Sequence, residues 1–129
     1  MLKKTVTYKD YDENERTEDF YFNLTKAEVF ELELGSVKGK LTDMIEKIVK
    51  ENNNQELIKL FKKVVLMAYG QKSLDGRTFI KNDEIRAEFE QTEAYSVIFM
   101  ELATDADAAV SFFNGIIPQS PQDHQVKQN

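Results

Sequence analysis

The spacing of apolar residues changes once along this chain, and that change restricts the folds that the sequence allows. Apolar and polar residues alternate over Leu2–Tyr8 and again over Phe20–Leu24, the pattern of strands that bury one face. From Thr25 onward, apolar residues recur every three to four positions, which is the period of amphipathic helices. The sequence therefore predicts an α+β fold, mainly α, in which an N-terminal β-hairpin precedes a bundle of four to five helices.

The two predicted strands are joined by the polar, acidic segment KDYDENERTED, which indicates an antiparallel hairpin with a long loop. Because an isolated two-stranded hairpin is barely stable, we expect it to pack against the helices. Asp10, Asp12 and Asn14 resemble the start of an EF-hand calcium loop. However, Glu15 stands where that loop needs glycine, and Tyr21 stands where it needs glutamate. A solvent-exposed loop is favoured over a metal site.

Capping residues mark where the helices begin. Thr25 and Glu28 fit a capping box, in which the threonine hydroxyl and the glutamate carboxylate each accept an N–H at the helix start. This box predicts a first helix over Lys26–Leu34, ended by Gly35. Its apolar side is assigned to Val29, Phe30 and Leu34, with Leu32 at one flank.

Further helices follow, separated by a loop in the middle of the chain. The predicted ranges are Thr42–Glu51, Asn54–Tyr69, Asp83–Leu102 and Thr104–Asn114. The loop QKSLDGRTFIKND contains the tight-turn dipeptide Asp75-Gly76, and we expect the flanking Leu74 and Phe79-Ile80 to anchor it against the protein. Asn82 or Asp83 is the expected cap of the helix after it.

Length and composition are consistent with one folded domain. The 129 residues, of which 41% are hydrophobic, are sufficient for a buried core without disulfides. Residues 119–129 show no apolar periodicity. We expect a single domain over residues 1–118 and a flexible polar tail over 119–129.

Several chemistries are disfavoured by composition. Cysteine is absent, which excludes disulfides, thiolate metal sites and cysteine nucleophiles, and the one histidine, His124, lies in the polar tail. A formal net charge of −6 repels phosphate backbones, so we expect no nucleic-acid partner. Neither a membrane span nor a signal peptide is apparent. We expect a soluble intracellular protein that is not an enzyme and has no metal or cofactor.

Charged helix faces leave two interpretations open. Glu88, Glu90, Glu93 and Glu101 fall on one predicted helix with no basic or metal partner evident in the sequence. A solvated acidic face is favoured, and an acidic docking face is the alternative. Likewise, the cluster Lys59/Lys62/Lys63 is expected to face solvent, the alternative being a complement to an acidic partner.

The least polar stretch, SVIFMELATDADAAVSFFNGIIP, is either core or a partner-binding surface. Phe112 and Phe113 are adjacent and point about 100° apart on a helix, so one neighbour does not easily bury both. The residues assigned to partner contact are Phe99, Leu102, Phe112, Phe113, Ile116 and Ile117.

Residues Met67–Pro118 resemble the tail assembly chaperones of long-tailed, siphovirus-type bacteriophages of Gram-positive hosts. The similar motifs are a YG.KS.DG..F.K loop, then F..TEAYS and FMEL, and a final AA..FFNGI.P. They cover about 40% of the chain, and the hairpin with the following LTKAE adds a looser likeness.

This resemblance implies a non-catalytic chaperone in the host cell cytoplasm. Such proteins coat the tape measure protein, keep it soluble, and help to recruit tail tube subunits; self-association is a further expectation. Many exist in a short form and a frameshifted longer form. Gln119–Asn129 would then be the end of the short form or a linker in the longer form. The alternative is a small acidic phage or bacterial protein-binding module, for example an inhibitor of a host factor. A small enzyme that uses carboxylates alone is a second, weaker alternative.

Overall fold

The computed structural model describes residues 1–35, 50 and 54–118. The predicted α+β, mainly α fold is confirmed, because an N-terminal β-hairpin is followed by five described helices. The predicted helix Thr42–Glu51 and the predicted tail Gln119–Asn129 lie outside the described residues, apart from Lys50. The elements are β1 Leu2–Lys9, β2 Glu15–Phe22, α1 Lys26–Gly35, α2 Asn54–Ala68, β3 Tyr69–Lys72, β4 Phe79–Ile80, α3 Asp83–Glu90, α4 Glu93–Thr104 and α5 Ala106–Ile116.

The first hairpin is longer and its loop shorter than the sequence pattern predicts. Strands β1 and β2 pair in antiparallel register from Leu2↔Phe22 to Lys9↔Glu15. Polar side chains on the solvent-exposed face of the hairpin form cross-strand hydrogen bonds, for example between the Thr7 and Thr17 hydroxyls at 2.9 Å. The second half of the predicted loop, Glu15–Asp19, is therefore strand, because a solvent-exposed part of a hairpin needs no apolar residues.

A second hairpin, β3–β4, was not predicted. The four strands form one sheet in the order β1-β2-β3-β4, and β2 pairs with β3 through Tyr21↔Gly70 and Phe22↔Tyr69. The predicted central helix runs through Tyr69, whereas helix α2 ends at Ala68. A Cβ at Gly70 would lie 2.7 Å from a ring carbon of Phe79, so glycine permits the close packing of β3 against β4.

The loop of the second hairpin contains the predicted turn. Gly76 has φ +73°, a left-handed conformation that glycine adopts without strain, and its N–H donates to the Ser73 carbonyl at 2.9 Å. Asp75 accepts from the Ser73 hydroxyl at 2.7 Å and from the Arg77 N–H at 3.0 Å. Leu74 is fully exposed, so the prediction that it pins the loop is wrong.

The predicted helix Asp83–Leu102 is two helices. Asn82 caps α3, as predicted, by accepting from the Ile85 N–H at 2.8 Å. Thr92 then caps α4, since its hydroxyl accepts from the Tyr95 N–H at 3.1 Å and donates to the Phe89 carbonyl at 2.7 Å. The chain bends at this cap, which the continuous apolar stripe did not reveal.

The last helix also differs at both ends from its prediction. Asp105, rather than Thr104, is the N-cap of α5, and its carboxylate accepts from the Ala108 N–H at 3.1 Å. Thr104 remains the last residue of α4, where its hydroxyl donates to the Met100 carbonyl at 2.6 Å. At the other end, α5 continues through Gly115 to Ile116.

Helix α1 has the predicted capping box but a different buried face. The Thr25 N–H donates to Glu28 Oε1 at 2.9 Å, and the Glu28 N–H donates to Thr25 Oγ1 at 3.1 Å. Leu32 is buried, whereas Phe30 is 62% exposed. The prediction for these two side chains was wrong, because the helix turns the side that holds Glu28 and Leu32 toward the protein.

Lys81 explains why α1 is oriented in this way. Its Nζ donates to the Asn23 carbonyl at 2.7 Å and to both carboxylate oxygens of Glu28 at 2.8 Å. The side chains of Lys81 and Glu28 are only 12% and 22% exposed. Burial lowers the pKa of the Lys81 ammonium, while Glu28 acts in the opposite direction. One cation thus joins the end of β2 to the first turn of α1.

We predict that Lys81→Met lowers the free energy of unfolding by about 1–3 kcal/mol, because it leaves the Glu28 carboxylate partly buried without its cation. Lys62→Met is the matched control. Lys62 pairs with Glu90 at 3.1 Å, but the two side chains are 55% and 38% exposed, so its loss should cost less than about 1 kcal/mol. Urea denaturation of both variants measures the difference, and equal losses would contradict the special role of Lys81.

Candidate partner-binding groove

The six residues predicted to contact a partner do not form one exposed surface in this structure. Leu102, Phe112, Phe113 and Ile116 are each at most 3% exposed, and Phe99 and Ile117 are partly buried against the same core. Contact with a partner itself stays an untested prediction. A partner could reach the four buried side chains only if helices α4 and α5 moved.

Two different neighbours bury the adjacent phenylalanines. The ring of Phe112 lies 5.2 Å from that of Phe22 on β2, in edge-to-face geometry. The ring of Phe113 lies 5.0 Å from that of Phe61 on α2. The 100° between them therefore lets α5 pack against the sheet with one ring and against α2 with the other.

We predict that Phe112→Ala and Phe113→Ala each lower the free energy of unfolding by about 3–5 kcal/mol, because each removes a buried ring. Phe30→Ala is the control, and we expect a change within about 0.5 kcal/mol since this ring is 62% exposed. Urea denaturation measures all three. Unchanged stability in the Phe112 and Phe113 variants would place these side chains on a surface instead.

A groove with a volume of about 410 Å³ lies elsewhere, where the β1–β2 loop meets the junction of α3 and α4. Its walls come from both hairpins and both helices. Tyr8 and Glu18 belong to the first hairpin, Gln71 to the second, and Glu88 and Glu93 to the helices. Segments that are about 80 positions apart in the sequence thus form one concave surface.

Buried aromatic rings form the floor of this groove. Tyr69 and Phe89 stack with their centroids 4.1 Å apart and their planes 13° apart. Phe20 lies 5.6 Å from Phe89 and 6.4 Å from Tyr69. Because these rings come from β2, β3 and α3, the floor is part of the core and is rigid by packing.

The rim of the groove carries far more negative than positive charge. Five carboxylates line it, against the single guanidinium of Arg16. Arg16 Nε donates to Asp10 Oδ2 at 2.6 Å, and its NH1 lies 3.4 Å from Glu18 Oε2. Within the described part of the chain, Asp12 and Glu88 have no such cation, so the rim attracts positively charged groups.

The Asp10 carboxylate accepts hydrogen bonds from the backbone of its own hairpin loop. Asp10 Oδ1 accepts from the Asp12 N–H at 2.9 Å and from the Asn14 N–H at 3.0 Å. The hydrogen bond from Arg16, followed by that from Asn14, holds the pKa of Asp10 below its usual value. Among the residues that the structure describes, no group of three or more potential ligands could hold a metal ion.

Two tyrosines of the first hairpin donate hydrogen bonds to carboxylates of the groove, one within the hairpin and one on helix α4. The Tyr8 hydroxyl donates to Glu18, and burial, reinforced by this bond, raises the pKa of Tyr8 to about 12. Tyr11 is 73% exposed, and its hydroxyl donates to Glu93 Oε1 on α4 at 3.3 Å. Tyr11 therefore bridges the tip of the first hairpin to helix α4.

We predict a change in stability at alkaline pH that depends on Tyr8. The folded protein favours the neutral phenol, so this stabilisation is complete below the ordinary pKa of 10.0 and is lost as pH rises through about 12. Tyr8→Phe should flatten the stability curve in this range. Glu18→Gln should move the phenol pKa toward its ordinary value while burial remains. Urea denaturation across this pH range measures the first change, and ultraviolet titration of phenolate measures the second. Equal losses of stability with pH in the wild type and in Tyr8→Phe would contradict the assignment.

The sequence suggested no basic partner for the acidic helix face, but two of its four carboxylates form ion pairs. Glu90 pairs with Lys62 of α2 at 3.1 Å, and Glu101 pairs with Lys4 of β1 at 2.6 Å. Glu88 and Glu93, in contrast, line the groove. Helices α3 and α4 therefore each contribute one carboxylate to an ion pair with another element and one carboxylate to the concave surface.

The structure is that of a small α+β protein with a groove that has an acidic rim and an aromatic floor. A family model described as phage tail assembly chaperone matches residues 1–129, and the chain belongs to that family. Membership confirms the resemblance at the level of the family and supports a non-catalytic chaperone role in tail assembly. No curated protein and no solved structure matches the chain. No described helix is long and apolar enough to cross a membrane.

Proposed function

We propose that this protein binds the tape measure protein of its phage and keeps it soluble while the tail is assembled. The observation that carries this proposal is the family match, which extends over residues 1–129. A chaperone of tail assembly needs a protein partner, and the resemblance of Met67–Pro118 points to the tape measure protein. The same resemblance supports a long-tailed phage of a Gram-positive host, action in the host cytoplasm, and recruitment of tail tube subunits.

The physical basis is the shielding of helical segments of the client. An amphipathic helix can lay its apolar side against a groove, and the surface beside α3 and α4 offers the exposed side chains of Tyr11 and Val97 for that contact. The formal net charge of −6 would keep a densely coated complex soluble, because neighbouring chaperones repel one another and other acidic surfaces.

Co-expression with the tape measure protein tests this proposal. We expect the client to move from the insoluble to the soluble fraction and to co-purify with the chaperone. The double variant Phe112→Ala/Phe113→Ala is the control, because it should not fold and should not rescue the client. If the client stays insoluble beside the wild-type protein, or if binding goes only to a basic host protein, the tape measure proposal is wrong.

A further inference from the structure

We propose that the groove and the adjoining side of α4 bind a helical segment of the client that carries lysine or arginine beside an apolar stripe. This inference rests on the proposed function and adds to it the place and chemistry of contact. The cations would meet the carboxylates of Asp12 and Glu88. The apolar stripe would contact Tyr11, Val97 and Met100.

The binding surface extends beyond the main groove. A second depression of about 310 Å³ shares Tyr8, Asp10, Tyr11 and Glu93 with the first. It adds Lys9 and Glu13, whose charges offset one another, and continues to Val97. Val97 and Met100 are 44% and 53% exposed and lie three residues apart on α4, so they share one helix face. From Glu93 to Met100 this face is about 10 Å long, which matches about two turns of a docked helix.

The groove already binds one guanidinium through two carboxylates, as we propose for a lysine or arginine of the client. Arg16 contacts Asp10 at 2.6 Å and Glu18 at 3.4 Å on the same wall. Asp12, Glu88 and Glu93 provide further carboxylates around the opening. The exposed ring of Tyr11 offers an apolar face for the aliphatic stem of a lysine or arginine.

A second copy of this chain suits the surface less well. The exposed basic helix face of such a copy is on α2. There Lys62 already pairs with Glu90, and Lys63 also has an interaction partner. Two copies that each carry a formal net charge of −6 also repel one another. The charge of the groove therefore favours a basic segment from another protein.

Charge reversal with a matched control tests the inference. Glu88→Lys and Glu31→Lys change the net charge equally, and both side chains are exposed on helices, but only Glu88 lines the groove. The probes are overlapping peptides that span the tape measure protein, and fluorescence anisotropy measures their binding to the full chain. Circular dichroism verifies that both variants fold.

We expect the tightest peptides to be basic and amphipathic and to bind more weakly as salt is raised. Glu88→Lys should weaken them about tenfold, because it replaces attraction by repulsion, and Glu31→Lys less than about twofold. Tyr11→Ala should also weaken them without changing the salt dependence. Equal effects of the two charge reversals, or equally tight acidic and neutral peptides, would overturn the inference.

The outcomes separate this inference from the proposed function. If the client is rescued in co-expression while Glu88→Lys binds the peptides as the wild type does, the inference fails and the chaperone role stands. If the client is not rescued and no peptide binds, both fail. If Glu88→Lys reduces the molar mass by light scattering but leaves peptide binding intact, a second copy occupies the groove and the inference is overturned.

Discussion

The stacking of Tyr69 on Phe89 is the contact on which the rest of this architecture depends. It joins the sheet to the helices at the point where β3 leaves α2 and α3 precedes the bend at Thr92. The inner side of this stack extends into the core through Phe22, whose ring lies 5.8 Å from both Tyr69 and Phe89. Its outer side is the floor of the acidic groove. Core packing and the shape of the binding surface are thus set by the same rings.

The sequence predicted correctly those features that depend on interactions between residues close together in the chain. The capping box at Thr25, the cap at Asn82 and the turn at Gly76 each depend on residues within a few positions, and all three are present. Strand β3 could not be inferred in this way. Tyr69 continues the apolar pattern of α2, and only its pairing with Phe22, far away in the sequence, makes it a strand.

The candidate site was predictable only in its parts. The acidic loop around Asp12 and the acidic helix around Glu88 were both recognised, one as a failed calcium loop and the other as a possible docking face. That the two meet depends on the second hairpin and on the break at Thr92, neither of which follows from periodicity. For the same reason the most apolar segment drew attention to Phe112, which the sheet buries.

The distribution of apolar side chains has a consequence for how such a chaperone would act. The largest rings are used in the core, and the exposed apolar residues beside the groove are few, namely Tyr11, Val97 and Met100. Exposed ion pairs contribute about 1 kcal/mol or less each, so one groove would bind one basic segment weakly. Several such segments in one long client would each bind a copy of their own, so coverage of the client would depend on the chaperone concentration relative to the Kd of a single groove. If the client is the tape measure protein, as we propose, weak individual contacts would also let each copy leave when tail tube subunits compete for the same segment.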